Sequence, residues 1–200
     1  MTIRVVLATG NAHKVGEVQR ILAAAQADIE VVALPADAPT PIEDGETFAE
    51  NALIKARSAA AHTGLPAMAD DSGICVEALN GMPGIFSARW SGAHGNDVEN
   101  LMLLLAQMRE VPEGRRGASF VCAAAVVSPS GAERVVEGTV EGTLTDAPRG
   151  TGGFGYDPAF LPHGYERTTA ELSPEEKDAI SHRGAAFRAL APIMRELLGE

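Results

Sequence analysis

Residues 3–34 read IRVVLATGNAHKVGEVQRILAAAQADIEVVAL, and this stretch decides the fold class. Its opening, IRVVLAT, is an apolar run of the kind carried by a strand buried on both faces. Gly10 and Asn11 interrupt it. Beyond them Val15, Val18, Ile21, Leu22 and Ala25 recur at the spacing of a helix with one apolar side. Residues 28–34 then return to a β-branched strand pattern. Strand, helix and strand in so short a span predict a β-α-β unit.

Outward from that unit the chain keeps mixing the two periodicities. Residues 35–46, PADAPTPIEDGE, form a proline-rich loop. Thr47-x-x-Glu50 has capping-box spacing and starts a helix expected to run to about His62 and end near Gly64. In PAMADDSGICVE (66–77) the aspartates and Ser-Gly suggest a turn, with strands at 66–70 and 74–79 on either side. Asn96-x-x-Glu99 resembles a second cap, leading a helix to about Arg109. Residues 118–127 and 132–144 read as a hairpin joined at SPSG. A glycine-rich loop, APRGTGGFGYDPAF, precedes Ser173-Pro174, where proline suits a first helical position. A last helix is expected from about Gly184 to Leu198, kinked at Pro192. The whole predicts a single mixed α/β domain spanning residues 1–200.

Bulk properties narrow the function. With 46% hydrophobic residues and mean hydropathy near zero, the chain reads as soluble. Its apolar runs are far too short to span a bilayer. No leader-like pattern opens it, so a cytoplasmic location is expected. Cys75 and Cys122 each sit alone in apolar surroundings and read as reduced core thiols. A net charge of −11 argues against general nucleic-acid binding, which needs a basic surface. GTGGFG (150–155) satisfies a dinucleotide fingerprint, but Pro158 and Pro162 forbid the helix it requires. No Walker A motif, nucleophile elbow or zinc-ligand spacing is present.

Four segments carry candidate chemistry. ATGNAHK (8–14) closes a strand and opens a helix, a place where free amides and Lys14 can face an anion. IEDGETFAENALIKA (42–56) offers Glu43 and Asp44 in a loop and Lys55 on the following helix. In ADDSG, Asp70 and Asp71 point to opposite sides if the backbone is extended, so only one of them can face a given ion. Mg²⁺ takes one or two protein carboxylates together with phosphate oxygens and water, and Glu43 is a candidate second acid beside Asp71. GGFGYDP (152–158) and EEKDAISHRG (175–184) add Phe154 and Tyr156, which can stack a base or simply pack, and the cations Lys177, His182 and Arg183.

Taken in order, a TGN loop with lysine, E-x-G before TFxENAxxKA, ADDSG followed by PGxxSAR, GFGYDPxF and K-x-A-x-SHRG strongly resemble the inosine/xanthosine triphosphate pyrophosphatases. That family comprises house-cleaning enzymes for non-canonical purine nucleotides. The resemblance runs from Leu7 to about Leu190. Thr9 stands where some members carry serine, with the hydroxyl retained. The resemblance implies an elongated mixed sheet with flanking helices in two lobes around a central cleft, usually as a homodimer. It implies Mg²⁺-dependent hydrolysis of ITP, dITP or XTP to the monophosphate and pyrophosphate. By similarity, Thr9, Gly10, Asn11, Ala12, His13 and Lys14 form the triphosphate loop, helped by Lys55. Glu43 and Asp71 hold the metal, Asp71 is the general base, and Ser72 touches substrate. Phe154, Gly155, Tyr156 and Asp157 enclose base and sugar with Lys177, His182 and Arg183, a donor from His182 or Arg183 meeting the 6-oxo group. The alternatives are a pyrophosphatase for modified pyrimidine or other aberrant nucleotides, a non-catalytic nucleotide sensor, and a generic α/β domain whose acids and lysines are all surface solvation.

Overall fold

The computed structural model describes residues 2–10 and 12–199. Its strands are β1 (Ile3–Leu7), β2 (Ile29–Ala33), β3 (Ala67–Val76), β4 (Gly117–Val127), β5 (Glu133–Leu144) and β6 (Phe160–Pro162). Its α-helices are α1 (Ala12–Ala24), α2 (Phe48–Thr63), α3 (Asp97–Gln107), α4 (Pro174–Ile180) and α5 (His182–Leu198). The strands form one open sheet in the order β2-β1-β3-β4-β5-β6. β1 is parallel to β2, pairing Val5 with Val31, and parallel to β3, while β5 and β6 are antiparallel. The mixed α/β class and the opening β-α-β unit are therefore as expected. No helix among the described residues is long and apolar enough to cross a membrane.

The chain divides into two compact units. The first comprises residues 1–71, 122–138 and 182–200. Here the period-2 alternation of the strands sorts side chains into two cores. Val5, Leu7, Met68, Cys122, Ala124 and Val126 pack with Val18, Ile21 and Leu22 of α1 and Phe187, Leu190 and Met194 of α5. Val6, Ala8, Ala67, Ala69, Ala123 and Ala125 pack with Ala52, Ala56, Ala59 and Ala60 of α2. The second face is lined almost wholly by alanine, which lets α2 lie close against the strands.

The second unit comprises residues 72–121 and 139–181. Its core joins Ile74, Val76, Phe120, Leu144 and Phe160 to Leu101, Leu104, Leu105 and Met108. Arg116 is buried within it, donating to the carbonyls of Met108, Val111, Leu144 and Thr145. That arginine serves structure.

Several elements differ from their sequence reading. DDSG is not a turn, because β3 runs unbroken from Ala67 to Val76. The hydroxyl of Thr47 does cap α2 by accepting from Glu50 N, but the Glu50 carboxylate turns to Glu46 N at 2.6 Å. Asn96 makes no capping bond; its Nδ2 instead donates to Glu99 Oε2 at 2.6 Å. α5 starts two residues early, at His182, and continues through Pro192. GTGGFG leads into a 3₁₀ turn at Asp157–Ala159 and then β6, so it has no dinucleotide-binding helix.

Candidate active site

The unbroken β3 places its two aspartates on opposite faces of the first unit. Asp71 faces α2. Its Oδ1 lies 2.9 Å from Lys55 Nζ, and its Oδ2 accepts from Asn51 Nδ2 at 3.3 Å. Lys55 Nζ also meets Glu43 Oε2 at 3.2 Å. Carboxylates from the proline-rich loop and from β3 therefore converge on a single ammonium. Asn51 is fully buried, and its Oδ1 accepts from Gly45 N at 2.9 Å, tying the Glu43 loop to the strand acid. Gly45 permits this closeness, since a Cβ there would lie 2.7 Å from Asn51 Oδ1.

Electrostatics follow from that packing. Burial raises the Asp71 carboxyl above the usual carboxylate value, with Lys55 opposing and Glu43 adding to the rise. Burial pulls the Lys55 ammonium down, but Asp71, Asp70 and Glu43 more than offset it, so its pKa ends above the ordinary lysine value.

Asp70 faces the other way, toward α1 and α5. It is 3% exposed and meets Lys14 Nζ at 3.2 Å and the Nη2 of Arg183 at 3.1 Å. Burial alone would raise its pKa, yet Lys14 and Arg183 together hold the carboxyl far below the usual carboxylate range. Arg183 Nη1 in turn binds both oxygens of Glu17, at 3.2 and 3.1 Å. The structure thus places Arg183 in a buried ion-pair network. His182 is also buried, at the first turn of α5.

Thr9, Gly10, Lys14, Glu43, Lys55 and Asp70 share the wall of one cavity of about 720 Å³ in this unit. The loop and strand-end groups singled out from sequence are therefore brought together. Asn11 and the side chains of Ala12 and His13 lie outside the described residues.

The second unit holds the other group of sequence candidates. Asp157 is buried and accepts from Lys177 Nζ at 2.5 Å, Thr169 Oγ1 at 2.8 Å and Phe154 N at 2.8 Å. The exposed ring of Phe154 carries the Lys177 ammonium 4.8 Å from its centroid. Gly155 N donates to Asp97 Oδ2 at 3.0 Å. Tyr156 is buried and its hydroxyl donates to Ser87 O at 2.8 Å, so its ring packs in the core. Ser72 is half-buried on β3.

Asn51, Glu17 and Asp97 were missed by the sequence reading. Asn51 does stand one helical turn before Lys55, which puts both on one side of α2; that spacing was the available signal.

Among the described residues no three or more His, Cys, Asp or Glu side chains group as a metal cage. Glu43 and Asp71, drawn to one cation, instead make a two-carboxylate set. Such a set fits a hard divalent ion that completes its shell with water and phosphate oxygens.

An open α/β sheet with a glycine-broken strand-to-helix loop, lysines lining one cavity and a pair of carboxylates drawn to one of them defines a class of protein able to hold a phosphorylated ligand. The chain belongs to the Ham1 family, whose model matches residues 5–193. It is 60% identical over 198 residues to a dITP/XTP pyrophosphatase of Streptomyces coelicolor, covering 98% of this chain and 99% of that one. A crystal structure from Mycobacterium abscessus, described as a nucleoside-triphosphatase and dITP/XTP pyrophosphatase, shares 52% identity with TM-score 0.75, covering 95% of this chain and 100% of that one. A Coxiella burnetii HAM1 protein structure superposes with TM-score 0.87 at 42% identity, covering 97% and 99% of the two chains.

Proposed function

We propose that this protein hydrolyses the non-canonical purine nucleoside triphosphates ITP, dITP and XTP to the monophosphate and pyrophosphate. It thereby removes them from the pool used for DNA and RNA synthesis. The observation that carries the reading is the convergence of Glu43 and Asp71 on Lys55, which lines the same cavity as Glu43 and Lys14. The near-full-length relatives named dITP/XTP pyrophosphatase support it.

Water attacks the α-phosphorus, the bond from it to the α–β bridging oxygen breaks, and pyrophosphate leaves. Asp71 accepts the proton of the attacking water. Lys14 and Lys55 meet the non-bridging phosphate oxygens, where negative charge must be neutralised. Glu43 and Asp71 would hold Mg²⁺, which when bound screens phosphate charge and acidifies water. Phe154 offers a face on which a purine stacks, and Lys177 and Asp157 fix its surroundings. A donor from His182 or Arg183 at the 6-oxo group would reject adenine, whose amino group leaves that donor unpaired. The same reading takes the molecule to be a cytoplasmic homodimer, which light scattering after size-exclusion chromatography tests.

The deciding experiment incubates the protein and Mg²⁺ with ITP, XTP, GTP or ATP and assays pyrophosphate and orthophosphate separately. Pyrophosphate from ITP and XTP, with little from GTP or ATP, is expected. Orthophosphate as the sole inorganic product would overturn the mechanism. Asp71→Asn should lose orders of magnitude in kcat while keeping the wild-type circular dichroism spectrum.

A further inference from the structure

Asp70 has no part in the reaction above, yet it is the more deeply buried of the paired aspartates. Its Oδ2 accepts from Lys14 Nζ at 3.2 Å and from Arg183 Nε and Nη2 at 3.2 and 3.1 Å, and its Oδ1 takes a longer bond from Lys14 at 3.4 Å. Arg183 is clasped from its other side by Glu17. Glu17 and Lys14 stand three residues apart on α1, hence on one side of that helix. The network therefore ties the start of α1 to the start of α5 through the middle of β3.

A buried carboxylate with a single buried cation would already be neutralised. Here Arg183 and Glu17 form a matched pair, and Asp70 and Lys14 a second. Of the four side chains, only Lys14 keeps appreciable exposure, 21%, and it lines the cavity. An ammonium on a four-carbon stem samples many positions when free. One held by a buried carboxylate is presented at a fixed place, with N–H groups left for a ligand.

We infer that Asp70 is a positioning residue that holds the Lys14 ammonium ready for the polyphosphate, and that Arg183, backed by Glu17, holds Asp70 in place. This rests on the reading of Lys14 as a phosphate ligand. The non-bridging oxygens Lys14 would meet are charged before and during reaction, so losing its placement weakens substrate and transition state alike. The loss then falls on KM.

The test is a double-mutant cycle between Asp70→Asn and Lys14→Met, read in KM and kcat for ITP, with melting temperature measured in parallel. Each single variant raises KM about tenfold or more and leaves kcat within about threefold. Asp70→Asn changes KM less than about twofold when Lys14 is already Met. If Asp70 serves structure alone, Asp70→Asn lowers the melting temperature but leaves the KM of the folded protein at the wild-type value. That result, or a full second penalty in the Lys14→Met background, overturns the inference. Asp70→Glu keeps the charge and shifts its place by one methylene; it carries the same cycle should Asp70→Asn not fold. Failure of wild-type protein to release pyrophosphate from ITP would overturn the proposed function instead. Calorimetric pyrophosphate binding across the same variants then tests the coupling without turnover.

Discussion

At the scale of single residues, Asp71, Glu43 and Lys55 were legible because carboxylate and ammonium chemistry announces itself in a sequence. Asn51 did not, since a buried amide gains its meaning only from what it bridges. Asn51→Ala removes the acceptor for Gly45 N and the donor to Asp71. Stranding these groups costs about 1–3 kcal/mol, a melting-temperature loss of roughly 2–4 °C for each kcal/mol in a chain of this size. The Glu43 loop would also lose its tie to the strand acid, so half-maximal activity should need several-fold more Mg²⁺. A titration of activity against Mg²⁺ and a thermal melt check the two parts. Asp70 gives a pH signature. Its folded pKa lies far below its unfolded value of about 4. Its stabilisation is complete above that unfolded value and drains as pH falls toward the folded one. The gap in denaturation midpoint between wild type and Asp70→Asn should therefore be widest from about pH 5 upward and narrow progressively below pH 4. A gap that widens on acidification would contradict the cation-held state.

At the scale of elements, the instructive difference is β3. Asp, Ser and Gly together favour turns, and the composition of ADDSG predicts one. The strand continues because each aspartate meets cations waiting on its own face, Lys14 and Arg183 on one side and Lys55 on the other. Local propensity yields to partners that lie 56 and 113 residues away in sequence, which no window of residues around ADDSG contains. The helix signals fared better, since the Thr47 cap and the Ser173-Pro174 start are local devices that carry their own geometry. A second long-range requirement sits at Gly138 on β5. A Cβ there would lie 2.3 Å from His182 O and 2.5 Å from Ala186 N. Only glycine lets the first turns of α5, which carry Arg183, rest on the strand. Neither backbone can move aside cheaply, so Gly138→Ala should cost about 3 kcal/mol or more, read as a lowered midpoint in urea. The KM for ITP should rise with it, because Arg183 would be displaced from Asp70.

At the scale of the whole molecule, charge sets the terms on which substrate arrives. The chain carries −11 at neutral pH, and its intended ligand is a polyanion. Among the described residues the ion pairs at and behind the cavity do not reverse that sign, since Lys14, Lys55 and Arg183 face Glu17, Glu43, Asp70 and Asp71, three cations against four carboxylates. The lysines are largely spent on those acids, which is why an acidic sequence holds lysines in this cavity without any basic stretch to advertise them. A divalent ion on Glu43 and Asp71 would turn the local sum positive and free Lys55 for phosphate. Nucleotide binding should therefore depend on the metal more steeply than the chemistry alone demands. The uncleavable analogue α,β-methylene-ITP separates binding from turnover. With EDTA present it should leave the melting temperature unchanged, and Mg²⁺ alone should raise it slightly. Both together, with the analogue at 100 times its dissociation constant, should stabilise by about 2.7 kcal/mol, several degrees in the melt. An equal shift from the analogue in EDTA would mean that the lysines suffice, and that Glu43 and Asp71 meet the nucleotide without a metal between them.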